Sequence, residues 1–303
     1  MAFTFYKSES IRFGIRRIIR EQVNLILLSL GRSADNYDEE IHSSRKSMKK
    51  IRALLALIKF ELGREEFRRI NIFYRDIGRK LSGVRDLAVM MNFLVNLKKD
   101  AGIPNGKIDR ILFELDEEYH QTKINRKLED NIITGIKNDL LSALKEIDEW
   151  QFSSTGFDVI KPGLQRVYSE GLGCMHTAIE NPLPENYHKW RKHGKYLWYS
   201  VKLLQKSWKN VLTEYSNSLE DLTESLGEAQ DISQIRKYLT KKNIEDGNDN
   251  NYLLAILAEK REALYQKAIP LGKKIFSENP ESFTARMESY YKIWRGQKRE
   301  IRR

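Results

Sequence analysis

Two stretches of this chain repeat each other, and that repeat limits the fold more than any other feature. Ile41-His42-Ser43-Ser44-Arg45-Lys46-Ser47-Met48-Lys49 aligns with Tyr187-His188-Lys189-Trp190-Arg191-Lys192-His193-Gly194-Lys195 at an offset of 146 residues. Leu81-Ser82-Gly83-Val84-Arg85-Asp86-Leu87 aligns with Leu226-Gly227-Glu228-Ala229-Gln230-Asp231-Ile232 at an offset of 145. Two matches at nearly one offset point to an internal duplication, so the chain has to build one structural unit twice. The weak segment Gln151 to Gly156 is the natural seam. It divides a single domain over 1–303 into a first half, 1–152, and a second half, 153–303.

The unit is helical. The chain has six prolines and long runs rich in Leu, Ile, Lys, Glu and Arg, while strict apolar–polar alternation is hard to find anywhere. The fold class is all-α. Helices are predicted near residues 8–30, 38–62, 65–98, 105–128 and 135–150, and then near 158–180, 185–213, 216–241, 250–277 and 281–300. Breaks are expected at Gly31, Gly63, Gly102-Ile103-Pro104, Ser153 to Gly156, Pro182-Leu183-Pro184, Gly247-Asn248-Asp249 and Asn279-Pro280.

Within each unit the repeated motif carries one chemistry. Positions i, i+3, i+4 and i+7 share a helix face, so His42, Arg45, Lys46 and Lys49 form one line, and His188, Arg191, Lys192 and Lys195 form another. Opposite the first line lie Ile51, Leu55, Ile58 and Leu62; opposite the second lie Trp190, Leu197, Val201, Leu204 and Trp208. Each helix should pack its apolar back on a core and turn its stripe outward or into a cleft. The second stripe continues in sequence through Lys202, Lys206 and Lys209.

A basic face on a single helix is usually just a solvated face. Two features argue for more. Solvated faces mix acids with bases at i,i+4, yet residues 41–60 contain no Asp or Glu. The same pattern, histidine included, then recurs in the second half. Repulsion of that kind is tolerated when a ligand neutralises it, and the formal net charge of +11 points to an anionic one.

Phosphates in a row fit the pattern, because Arg forks two donors onto phosphate oxygens, Lys adds point charge and protonated His donates. Neighbouring cations should keep the histidines neutral until bound phosphate draws a proton onto them. Further candidates are Arg16 and Arg20 on the first helix, Arg75 and Arg79 on the third, and Lys202. Asp86 and Asp231 occupy matching places and would orient cations; Arg75, Arg79 and Asp86 are expected on one helical face. Arg75 and Arg79 correspond to Glu220 and Glu224 in the second half, so the cationic surface should be uneven.

Catalytic signatures do not emerge. Gly102 to Lys107 lacks the spacing and hydroxyl of a P-loop, no His-Glu-x-x-His or Gly-x-Ser-x-Gly occurs, and no metal-ligand cluster is visible. The reading is a non-enzymatic protein with no cofactor and no metal. The lone Cys174 and the lack of a long apolar run lead us to expect a soluble cytoplasmic protein that does not enter the membrane.

Taken together, His42-x-x-Arg45-Lys46-x-x-Lys49, Val84-Arg85-Asp86-Leu87, Gly163-Leu164-Gln165-Arg166-Val167-Tyr168 and His188-x-x-Arg191-Lys192-x-x-Lys195-Tyr196-Leu197 resemble the CHAD domain, the conserved histidine α-helical domain. The resemblance implies two helical bundles of four-helix type with long antiparallel helices, related by pseudo-two-fold symmetry. It further implies a basic groove or pore between them that binds inorganic polyphosphate, lined by the two stripes with Arg166 as a lesser contributor. Association with polyphosphate granules would follow. Tyr196 departs from the pattern, since the first half has Lys50 there. The alternative partner for the same surface is the backbone of RNA or DNA, which the missing base-stacking platform disfavours; less favoured still is an enzyme of polyphosphate or nucleotide metabolism.

Overall fold

The computed structural model describes residues 3–31, 37–81, 83–100, 107–127, 130–242 and 248–296. Every regular element among them is helical, and none is long and apolar enough to cross a membrane. The Ser10 side chain accepts the Phe13 amide and starts α1 (Ile11–Ser29), which buries Ile11, Ile15, Ile18, Ile19, Val23 and Ile26 along one side. There follow α2 (Tyr37–Leu57), α3 (Lys59–Leu62), α4 (Arg64–Lys80), α5 (Gly83–Asp100), α6 (Lys107–Lys127) and α7 (Asp130–Glu149). A short 3₁₀ turn leads into α8 (Lys161–Glu180), α9 (Pro184–Leu204), α10 (Lys209–Lys241), α11 (Asn248–Ile275) and α12 (Pro280–Arg295). Asn279 caps α12 through the Ser282 amide, and Gly296, at φ 76°, closes it in the left-handed conformation.

One order of neighbours recurs along the chain. α1 lies against α2 and α7, α2 against α4, and α5 against α6; α8 lies against α9 and α12, α9 against α10, and α10 against α11. The halves are then joined by α2 packing on both α8 and α9, and by α5 packing on α10. The main core is continuous across the seam, from Ile15, Leu54 and Tyr74 to Trp190, Leu219 and Phe283. A smaller core also crosses it, bringing Leu94, Ile108 and Leu115 against Ile232, Ile235 and Leu257. The seam itself is held by Glu61, whose carboxylate accepts the amides of Ser153 and Ser154 at 2.7 and 3.2 Å.

Four helix boundaries differ from expectation. The predicted helix 38–62 breaks at Ile58, because the end of α2 is taken by α8: Arg166 Nη2 donates to the Ala56 carbonyl at 3.1 Å, and Gly163 presses on the backbone of Leu57. The predicted helix 65–98 is two helices, with α4 ending at Lys80 and α5 starting at Gly83, so Arg75 and Arg79 do not share a helix with Asp86. In the second half the break comes earlier than predicted, in a 3₁₀ turn at Gln205–Trp208, after which α10 runs unbroken for 33 residues. The helix predicted over 281–300 stops at Arg295, where Gly296 turns into the left-handed conformation. The predicted breaks at Gly102-Ile103-Pro104 and at Gly247 lie outside the described residues.

Gly163 admits no side chain: a Cβ there would lie 1.8 Å from the Leu57 carbonyl oxygen, an atom of backbone that cannot step aside. Gly163→Ala should therefore destabilise the fold by about 3 kcal/mol or more, read as a lower urea midpoint by circular dichroism. An unchanged midpoint would refute this account of the α2–α8 junction.

Candidate functional site

The pattern of burial along α2 turns its stripe away from the core. Ile41, Ser44, Ser47, Met48 and Ile51 are buried, leaving His42, Lys46 and Lys49 exposed and Arg45 half-buried between them. Arg45 Nη1 reaches Asp86 on α5 at 3.1 Å. On α9, Tyr187, Trp190, Gly194, Leu197 and Val201 are buried and Lys192 is exposed. Trp208, expected on this apolar side, is instead exposed on the 3₁₀ turn and meets Tyr290 edge-on at 4.7 Å.

Arg191 is placed like Arg45 but lies deeper. Its Nε donates to the Thr223 carbonyl at 3.3 Å, and its guanidinium rests where a Cβ on Gly227 would stand only 3.0 Å away. Burial disfavours its charge and the nearby Asp231 carboxylate favours it. Both aspartates thus lie by the arginine of their own stripe, and Asp86 is not on a shared helical face with Arg75 and Arg79 as expected.

The stripes converge because α2 and α9 pack together. Lys195 is half-buried and lies near Lys49; Lys202 lies near both Lys46 and Lys50. Pairing 49 with 195 and 46 with 202 makes the two helices antiparallel along this line. Lys195 Nζ sits 4.0 Å from the centre of the Trp198 ring and Lys202 Nζ 3.9 Å from it. Trp198 is only 4% exposed, so the two lysines roof it and no base could stack on it. Lys50, which sequence reasoning passed over, is half-buried 5.3 Å from the Phe3 ring centre. Its absence of an acid partner within four residues was the signal that could have found it.

These cations are crowded, and their titration shows it. Burial, then Arg191, pushes the Lys195 ammonium down to about 8, with Glu220 and Glu224 pulling the other way and Lys49 adding repulsion. Burial also lowers Lys50, with Lys46 and Lys202 adding to it. Lys202 is lowered by burial against the opposing charge of Glu220, whose carboxylate lies 3.7 Å away. The unevenness expected from Glu220 and Glu224 is thus located on the Lys195–Lys202 side. His188 is held below the ordinary imidazole value, first by desolvation and only then by Arg191 and Lys192; a hydrogen bond with Gln230 opposes this and Lys237 adds to it. The neighbouring cations are the lesser cause, not the leading one.

Several sequence candidates are engaged elsewhere. Arg16 donates to the carbonyls of Ile147, at 3.2 Å, and Trp150, closing the end of α7. Arg20 pairs with Asp148 at the same helix end. Arg75 and Arg79 both lie against Asp76, at 2.8 and 3.6 Å. Arg166 binds Ala56 and pairs with Glu170 at 2.7 Å. Glu170 also meets His193 Nδ1 at 3.2 Å, and its carboxyl is driven to about 2: desolvation alone would raise it, but His193 and Arg166 prevail. Lys206 does not extend the α9 stripe, since that helix ends at Leu204; its ammonium lies 4.5 Å from the Tyr6 ring centre. Among the described residues no group of three or more His, Cys, Asp or Glu side chains is arranged to hold a metal ion.

A family model for the CHAD domain matches residues 17–240, from within α1 nearly to the end of α10. No curated protein matches the chain.

An ammonium with a pKa near 8 in the folded protein and 10.5 in the unfolded chain weakens the fold at neutral pH, and the loss is relieved as pH rises from about 8 towards 10.5. Lys195→Met should therefore raise Tm at pH 7, by about 2 °C, with the gain shrinking at pH 10. A Tm lowered at pH 7, or a gain that grows at pH 10, would contradict the burial cost assigned to this lysine.

Proposed function

The chain belongs to the CHAD domain family, and from that premise we propose that it binds inorganic polyphosphate along the α2–α9 surface without catalysing its turnover. The observation that carries the reading is the convergence of both stripes: Lys46, Lys49 and Lys50 from one helix face Lys195 and Lys202 from the other, with burial disfavouring three of the five charges. A bound polyanion removes that repulsion, so the binding energy includes relief of strain already present in the free protein. Exposed Lys46, Lys49 and Lys192 supply point charge at the rim, and half-buried Arg45 and Arg191 supply planar forks from below. The histidines add a proton-linked contribution. Desolvation, with Arg191 and Lys192 beside it, holds the His188 imidazolium in disfavour in the free protein, and a bound phosphate beside it favours that charged form.

A bare phosphate chain suits this surface better than a nucleic acid. Trp198, the aromatic side chain roofed by Lys195 and Lys202, is buried beneath their ammonium groups and offers no face to a base. We also take the two halves as bundles related by a pseudo-two-fold axis. In support, Lys49 and Lys195 are equivalent by the sequence offset and are also neighbours, as residues beside such an axis must be. The cytoplasm, and polyphosphate granules within it, are the matching setting.

Calorimetric titration with polyphosphates of several lengths, against RNA and DNA of matched charge, tests the reading. Polyphosphate should bind tightest, and its affinity should fall roughly 10³-fold between about 50 and 200 mM salt if some six phosphates are engaged. Lys46→Glu, Lys49→Glu and Lys192→Glu together should abolish binding with the helical circular dichroism unchanged. Retained binding sinks the site, and stronger RNA binding sinks the ligand class.

Glu220→Gln with Glu224→Gln removes the two carboxylates that counter Lys195 and Lys202. Affinity for polyphosphate should rise roughly two- to tenfold in the same titration; a loss of affinity would show that these acids position the lysines instead of opposing the ligand.

A further inference from the structure

At the N-terminal end of α9 a second group of cations gathers outside the α2–α9 surface. Arg236, Lys237 and Lys241 of α10 and Arg261 of α11 line a depression of about 390 Å³, together with Ser233 and with Pro184, the first residue of α9. Three helices thus contribute to one concave space. Pro184 marks the positive end of the α9 dipole, which borders the same space.

The charges here are poorly matched by acids. Among the described residues only Lys237 of the four has a carboxylate within ion-pair distance, Glu185 at 3.5 Å, and both of those side chains are well exposed. The Nε of Arg261 is buried and has no hydrogen-bond partner among the described residues. Arg236 has burial against its charge, and then the like charge of Arg261. Two guanidinium groups held beside each other, with no carboxylate between them among the described residues, present donors in forks to whatever enters, and a tetrahedral oxyanion with several terminal oxygens satisfies both at once. A carboxylate, with two oxygens, fills only one fork.

We propose that Arg236, Arg261, Lys237 and Lys241 form a second anion site, for a compact phosphoryl group such as inorganic pyrophosphate or the end of a longer phosphate chain. The site stands apart from the α2–α9 surface in its residues and does not depend on what that surface binds. It adjoins the surface at one point: Lys237 also acts on His188. Cargo held at both places would therefore be felt by the histidine between them.

Inorganic pyrophosphate is the probe, titrated calorimetrically into the full chain and into the Lys46→Glu, Lys49→Glu, Lys192→Glu variant. One equivalent should still bind in that variant, and adding Arg236→Gln and Arg261→Gln should weaken it at least tenfold. The proposal is overturned if the variant with natively folded helices binds no pyrophosphate, or if the arginine pair changes its affinity less than twofold. Should the arginine variant not fold, amine labelling of the wild-type chain decides: pyrophosphate should protect Lys237 and Lys241 but not the exposed Lys267, and equal labelling of all three with and without it overturns the site. Long-chain polyphosphate that displaces pyrophosphate from the α2–α9 variant would assign the site to a chain end, and failure to displace it would assign the site to the free ion. Either result keeps the site and names its source.

Discussion

Lys195 lies in a crowd of its own sign, with Arg191 on its helix and Lys49 across the interface, and burial has already removed part of its solvation. Such a group would leave if it could. It stays because the opposite sides of α2 and α9 are fixed in the core, with Ile51, Leu54, Trp190, Leu197 and Val201 at essentially zero exposure. Burial of apolar area on those faces outweighs the repulsion on the other. Everything proposed for the surface depends on this opposition, since a cationic face that could relax into solvent would store nothing for a ligand to relieve.

The excess of basic residues is divided between two duties, and the division follows what each side chain meets. Arg16 and Arg166 give their donors to carbonyls at the ends of α7 and α2, which no helical amide can satisfy. Arg17 is bound by Glu9 and Glu21, and its charge is reinforced accordingly. Arg16 and Arg166 hold helices together, and Arg17 ties the segment before α1 to that helix. The lysines at 46, 49 and 192 stand exposed on the faces that α2 and α9 turn outward. The family motif from Gly163 to Tyr168 serves the same packing: Gly163 allows the close approach to Leu57, Arg166 donates to the Ala56 carbonyl, and the single Tyr168 hydroxyl proton is shared between the carbonyls of Ile275 and Glu278, at 3.3 and 3.1 Å.

Much of this was legible in the sequence. Helix content, the two stripes and their buried backs follow from spacing, because on a helix the period of the side chains decides which of them share a face. The matched aspartates were found from the offset alone, and Asp86 does meet Arg45. Less was legible where a distant segment intervenes. Nothing in residues 38–62 announces that α8 will take the end of α2 and break it at Ile58, and nothing near Arg16 announces that its partners lie at 147 and 150. Lys206 and Trp208 were misassigned because a continuous period was extended through a 3₁₀ turn.

The sequence by itself determined that this chain is helical and carries a repeated motif that is basic along one face of each of its two helices, since these depend on local periodicity and composition. Only the tertiary structure decided that the two faces meet, antiparallel, in one crowded surface, that Lys50 and Lys202 belong to it, and that Arg16 and Arg166 serve helix ends. Which charges crowd and which are neutralised depends on distances between residues far apart in the chain, and no spacing along it encodes those.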